Sequence, residues 1–101
     1  MTDFHEDVEL EVAEAIQELV PGYLANRDED LAEMTTLLAD GDFTRISVLA
    51  HNIKGTGGSY GFPEVTAIGA ALESSAKQGD AAGSGAQLTL LASFLVRVRN
   101  L

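Results

Sequence analysis

The sequence predicts an all-α fold, an antiparallel up-down-up-down four-helix bundle with a short additional N-terminal helix. Two observations carry this. Apolar residues recur at steps of three and four along the chain, and no segment alternates with the period of two that a half-buried strand requires. The periodic segments are joined by short connections, which make consecutive helices antiparallel neighbours. At 101 residues, 46% hydrophobic and 22% charged, the chain (1–101) fits a single domain with one modest core.

In the first segment Val8, Val12, Ile16 and Leu19 recur at helical spacing up to Pro21-Gly22, where a short helix is expected to end or kink. Residues 1–10 are expected to be poorly ordered or frayed. The next helix, from about Tyr23 to Asp40, repeats Leu24, Leu31 and Leu38, with Met34 and Leu37 on the same broad face, and stops at Gly41. Asp42 can cap a third helix from about Phe43, whose stripe of Phe43, Ile46, Ala50, Ile53, Gly57 and Tyr60 should face a core. "GFP" breaks that helix, and Pro63 suits the first turn of the next, whose apolar face is Val65, Ile68, Leu72 and Ala76. "QGDAAGSG", residues 78–85, is the one evident flexible loop. Leu88, Leu91, Leu95 and Val98, supported by Phe94, then form the last helix.

Composition removes several functional classes. With no cysteine there are neither disulfides nor thiolate metal sites. The N-terminus, "MTDFHEDVEL", is acidic where a signal peptide would be basic and then apolar, and no run approaches the ~18 apolar residues of a membrane span. A cytoplasmic chain with no membrane partner is therefore expected. The net charge of −10 argues against nucleic acid as a partner. Thirteen of the sixteen acids lie in residues 1–42, opposed there only by Arg27, whereas residues 43–101 hold three acids and five bases. That half is mildly positive and suits an acidic partner.

The stretch "HNIKGTGGSYG", residues 51–61, places a histidine and a lysine in mid-helix ahead of four glycines, each costing a helix interior about 1 kcal/mol relative to alanine. It is not a nucleotide loop. The phosphate loop of NTPases needs its lysine after the glycines, and the G-x-G-x-x-G pattern started at Gly55 finds Tyr60 where its last glycine should be. Two histidines without cysteine or ligand spacing make no metal site. No cofactor is expected, and without an ATP site the chain has no kinase activity of its own.

Apart from the core stripe, the third helix has a second face of Thr44, Ser47, Val48, His51, Lys54, Gly55 and Gly58, spaced three or four apart. From His51 to Gly61 the chain climbs ten residues, about 15 Å, and an equal descent after the turn reaches residues 71–74. Glu73 therefore stands level with His51, flanking the core residue Leu72. A carboxylate accepting from Nδ1–H fixes the tautomer and leaves the Nε2 lone pair free as a nucleophile, while Lys54 supplies positive charge for an anion forming there. A phosphoryl group is the natural candidate. Alone, Glu73 would be a surface carboxylate pairing with Lys77 at i+4.

"LAHNIKGTGGSYGFPEVTAIGAALE", residues 49–73, resembles the signature of histidine-containing phosphotransfer (HPt) domains: a histidine, a lysine three on, glycines four and ten on, and an LE or LQ pair just past twenty. The resemblance extends more weakly from about Leu19 to Asp80 and covers the helical pattern to the end, and residues 1–10 add nothing to it. It implies a phosphorelay intermediate that accepts a phosphoryl group on histidine from a receiver-domain aspartate or a histidine kinase and passes it to a receiver. His51 would be the phosphoacceptor, Lys54 a phosphate-side cation, Gly55 the gap allowing close approach and Glu73 the orienting partner. Many relatives have glutamine in place of Glu73. A glutamate holds Nδ1–H more strongly but adds a negative charge near the phosphate. Mg²⁺ is expected only in the receiver.

The docking surface is expected to combine Ser47, Val48, Gly55 and Gly58 with groups of the second helix around Met34 and Thr35. A monomer is expected. The competing reading is a non-catalytic helical adaptor that binds a signalling partner without phosphorylation.

Overall fold

The computed structural model describes the backbone of residues 2–59 and 62–100 and the side chains of residues 21–57 and 62–100. Four helices follow one another: α1 (Thr2–Asp40), α2 (Phe43–Ser59), α3 (Pro63–Lys77) and α4 (Ala81–Arg99), with no strand among the described residues.

Local chemistry sets the ends. Gly41 takes φ 73°, its N–H donating to Leu38 O (3.1 Å) and that of Asp42 to Leu37 O (2.9 Å). These are the two hydrogen bonds of a Schellman stop, which favours glycine at the left-handed position. Asp42 Oδ1 then accepts from Arg45 N (3.2 Å) at the start of α2. The end of α3 repeats the device, with Gly79 at φ 66° and bonds from Gly79 N to Ala76 O and Asp80 N to Ser75 O. Asp80 caps α4 by accepting from Gly83 N (2.9 Å). Pro63 occupies the first turn of α3 as expected.

The core is built from the predicted stripes. Leu24 and Met34 of α1, Ile46, Ala50 and Ile53 of α2, Val65, Ile68, Leu72 and Ala76 of α3, and Leu88, Leu91, Phe94 and Leu95 of α4 are all buried together. Each large side chain so buried is worth about 1.5–3 kcal/mol. Phe62, in the α2–α3 corner, stacks on Tyr23 of α1 (centroids 5.6 Å) and meets Phe94 of α4 edge-on (5.4 Å). That corner, just beyond the glycine-rich end of α2, is thereby tied to both flanking helices.

Pairing between helices runs in reverse order of sequence. Arg27 meets Thr56 while Glu33 meets Arg45 across α1 and α2. Glu64 pairs with Arg97 across α3 and α4, and Asp28 with Arg99 across α1 and α4.

Two expectations need correction. The separate short helix before Pro21-Gly22 is absent, because α1 runs through Pro21 as one helix of 39 residues. Pro21 and Gly22 are exposed, while Tyr23 and Leu24 beside them are buried. Burial on one side thus overrides the local breaker. Residues 2–10 carry helical backbone as the start of α1. The stripe Val8, Val12, Ile16 and Leu19 lies outside the residues whose side chains are described, and Tyr60 and Gly61 lie outside the described residues.

The second correction concerns residues 78–85. Only Gln78 to Asp80 form a turn, and α4 begins at Ala81. The small residues there serve packing. A Cβ on Gly83 would come within 2.4 Å of Asp80 Oδ2 and 3.0 Å of Ser75 Oγ, and Leu38 lies 3.7 Å from where one on Gly85 would sit. Among the described residues α4 is long and apolar enough to cross a membrane by length and composition alone; its Leu88, Leu91, Phe94 and Leu95 belong to the bundle core.

Candidate functional site

The division of α2 into two faces is present in the structure. Ile46, Ala50, Ile53 and Gly57 point inward, whereas Thr44, Val48, His51 and Gly55 are exposed and Ser47 and Lys54 half-buried. Val48 is 59% exposed. Gly58 lies outside the residues whose surroundings are described.

Glycines bring α3 up to this face. Gly69 packs against the α2 backbone so closely that a Cβ would lie 2.7 Å from Lys54 N, 2.9 Å from Lys54 Cα and 3.0 Å from Ala50 O. Gly57 fits as tightly on the other side, 2.5 Å from Thr66 Oγ1 and 2.7 Å from Thr66 N for the same hypothetical atom. Real Cβ atoms do not approach so near, so the distance between α2 and α3 is set by these glycines. Gly55 differs. A Cβ there meets nothing within 4 Å.

With the helices this close, Glu73 becomes the centre of a charged cluster. Its Oε2 lies 2.9 Å from His51 Nδ1, its Oε1 accepts from Lys54 Nζ at 3.0 Å, and Lys77 Nζ stands 3.4 Å from Oε2. The Glu73 side chain is 11% exposed, the His51 ring 65%. The Lys54 hydrogen bond, joined by that to His51 and by the charges of Lys54 and Lys77, outweighs desolvation and holds the carboxyl at about 2, well below its ordinary 4.5. Near neutral pH the group is a carboxylate, which can only accept. The hydrogen on the bond to His51 therefore belongs to Nδ1, and in the neutral ring Nε2 carries the lone pair.

The surface beside the cluster is concave. A shallow groove of about 440 Å³ lies between the first half of α2 and the end of α3, lined by Phe43, Thr44, Ser47, Val48, Ala76, Lys77 and Gly79. It begins one turn from His51, at Ser47 and Val48.

The structure thus brings together His51, Lys54 and Glu73, with Gly55, Ser47 and Val48 on the same exposed face. Met34 does not belong with them. It is fully buried in the core, because the Leu24, Leu31, Leu38 stripe on which it was placed is the core face of α1, so it contributes nothing to a docking surface. Thr35, its neighbour, is exposed, with its hydroxyl bonded to Leu31 O (2.7 Å).

Sequence reasoning treated Lys77 as a surface partner that would make Glu73 unremarkable, whereas Glu73 serves Lys77, Lys54 and His51 at once. It also passed over Gly69. The signal was a glycine between the core residues Ile68 and Leu72 in mid-helix, which marks a close backbone approach. Among the described residues no group of three or more His, Cys, Asp or Glu is placed to hold a metal ion.

A family model described as the Hpt domain matches residues 18–101. No curated protein and no solved structure gives a significant match.

Proposed function

The chain belongs to the Hpt domain family, whose general role is histidine phosphotransfer in phosphorelays through contact with receiver domains, and we propose that this chain carries the phosphoryl group on His51. The observation that carries the proposal is the 2.9 Å bond between His51 Nδ1 and Glu73 on an exposed ring, which supports Nε2 as the nucleophile. Nε2 attacks the phosphorus of a receiver aspartyl phosphate, or of a kinase donor, in line. The N–P bond forms as the bond from phosphorus to the leaving group breaks, and for a receiver the aspartate leaves with the electron pair. The Nδ1 proton stays against Glu73. Lys54, which needs only to turn from Glu73, supplies positive charge to the phosphoryl oxygens. The receiver brings the Mg²⁺ and most of the transition-state stabilisation. Passing the group on to a second receiver reverses these steps.

In this reading residues 1–101 act as one domain, a cytoplasmic monomer without kinase activity of its own, whose partners are receivers and a sensor kinase rather than nucleic acid or membrane. The reversed pairing of successive helices supports an up-down-up-down bundle. The open backbone at Gly55 and the groove beside Ser47 and Val48 support docking on the α2–α3 side. The test is incubation with a receiver domain phosphorylated on aspartate. An acid-labile, base-stable label is expected on the wild type and absent from H51Q. A label that persists in H51Q would remove His51 from the role, and no transfer from any of a panel of receivers would favour an adaptor that binds without phosphorylation.

A further inference from the structure

Glu73 presents an electrostatic difficulty. Held ionised, it stands against the ring that is to carry a phosphoryl dianion, and like charges at such range oppose each other. One lysine does not resolve this. If Lys54 turns to the phosphoryl oxygens, Glu73 is left uncompensated. The structure supplies a second cation. Lys77 Nζ lies 3.4 Å from Glu73 Oε2, one turn on along α3 in the favourable order of glutamate before lysine. It sits in the last turn of α3, where the helix end itself favours a cation. Among the described residues neither Lys54 nor Lys77 has another carboxylate within ion-pair distance.

We propose that Lys77 is the compensating cation of the site: it neutralises Glu73 when His51 is phosphorylated and so frees Lys54 to serve the phosphoryl group. The cluster of Glu73, Lys54 and Lys77 carries a net charge of +1, against zero if Lys77 is removed. Glu73 and Lys77 are then a dependent pair. A glutamate can hold Nδ1–H more strongly than a glutamine at this position because a lysine follows at i+4. Lys77 acts through Glu73 and is a positioning residue.

This inference rests on His51 as the phosphoacceptor, and its test separates the two. The probe is phosphoramidate, a small donor that needs no receiver. The N–P bond forms at Nε2, the P–N bond of the donor breaks, and ammonia leaves with the electron pair. Phosphorylation rate and phosphohistidine lifetime are followed by intact mass in wild type, K77Q, E73Q and the double variant, with far-UV circular dichroism confirming the same helix content in each. K77Q is expected to lower the level of phosphohistidine roughly threefold to tenfold. K77R should restore it. In the E73Q background the same lysine substitution should cost at least about threefold less, since the charge it compensates is gone. An equal loss in both backgrounds would mean that Lys77 acts on the phosphoryl group directly, and an unchanged level in K77Q would mean that it does not act at all; either overturns the inference while leaving His51 in place. A wild type that takes no phosphoryl group overturns the phosphoacceptor reading and this inference with it.

Discussion

His51 and Glu73, twenty-two residues apart in the chain, meet at 2.9 Å through Nδ1 and Oε2. The contact exists because α2 and α3 approach at Gly69 and Gly57 more closely than any side chain would allow. From it follows the division of labour on the ring, with one nitrogen held and the other presented. Replacing Glu73 by alanine removes the hold without disturbing the core, which it flanks. Phosphotransfer to His51 is expected to slow by roughly tenfold to a hundredfold, the worth of a hydrogen bond to a charged group, under conditions where circular dichroism shows the variant folded. An unchanged rate would make the contact incidental.

Acid stability should report the same carboxylate. Glu73 is held at about 2 in the folded chain against an ordinary 4.5. Between these values the unfolded chain takes up a proton that the folded chain refuses, so stability rises with pH across the window. The contribution is complete above about 4.5 and is lost as pH falls through about 2. Urea denaturation of wild type and E73Q at a series of pH values should therefore show the wild-type advantage shrinking over this range. An advantage that stays constant would contradict the ion-pair assignment.

Two glycines two positions apart on α2 are expected to respond in opposite ways. An added Cβ at Gly55 meets nothing, so G55A should be neutral or stabilise the helix by up to about 1 kcal/mol. At Gly57 the same atom collides with Thr66, and G57A should cost about 1–3 kcal/mol. Thermal melting of both variants decides this. G55L adds the functional half of the comparison: transfer from a phosphorylated receiver should fall while labelling by phosphoramidate does not, because only the receiver needs the clearance.

Gly69 should behave as a spacer for the site. G69A forces the backbones of α2 and α3 apart at Ala50 and Lys54, one turn from Glu73. A loss of about 1–3 kcal/mol is expected, together with slower labelling of His51 under conditions where the variant remains folded. A stable variant with wild-type labelling would show that the helix spacing has slack.

Much of this was legible in the sequence for a physical reason: burial follows periodicity. The stripe from Ile46 to Gly57 and that from Val65 to Ala76 lie in the core as their spacing requires, and counting rise per residue up one helix and down the next placed Glu73 beside His51. Four things were less legible. Pro21 read as a break, but a local breaker is outweighed when the residues beside it are buried. Met34 was offered to a partner although its spacing put it with Leu24 and Leu38 on the core face. Residues 78–85 read as a loop because glycine, alanine and serine signal flexibility in a linear string, whereas here they allow α4 to start early beneath Asp80 and Leu38. Lys77 lay in plain view as an i+4 partner, but its service to a carboxylate already shared by His51 and Lys54 is visible only when both helices are in place.

The most direct measurement is the position of the phosphorus atom on the ring. The chain, labelled with ¹⁵N-histidine and phosphorylated by phosphoramidate, can be read by ³¹P and ¹⁵N NMR, which distinguish the two ring nitrogens. The arrangement of Nδ1 against Glu73 predicts phosphorus bonded to Nε2 of His51, with no phosphohistidine signal in H51Q. Phosphorus on Nδ1 of His51, or a signal that survives in H51Q, would contradict it.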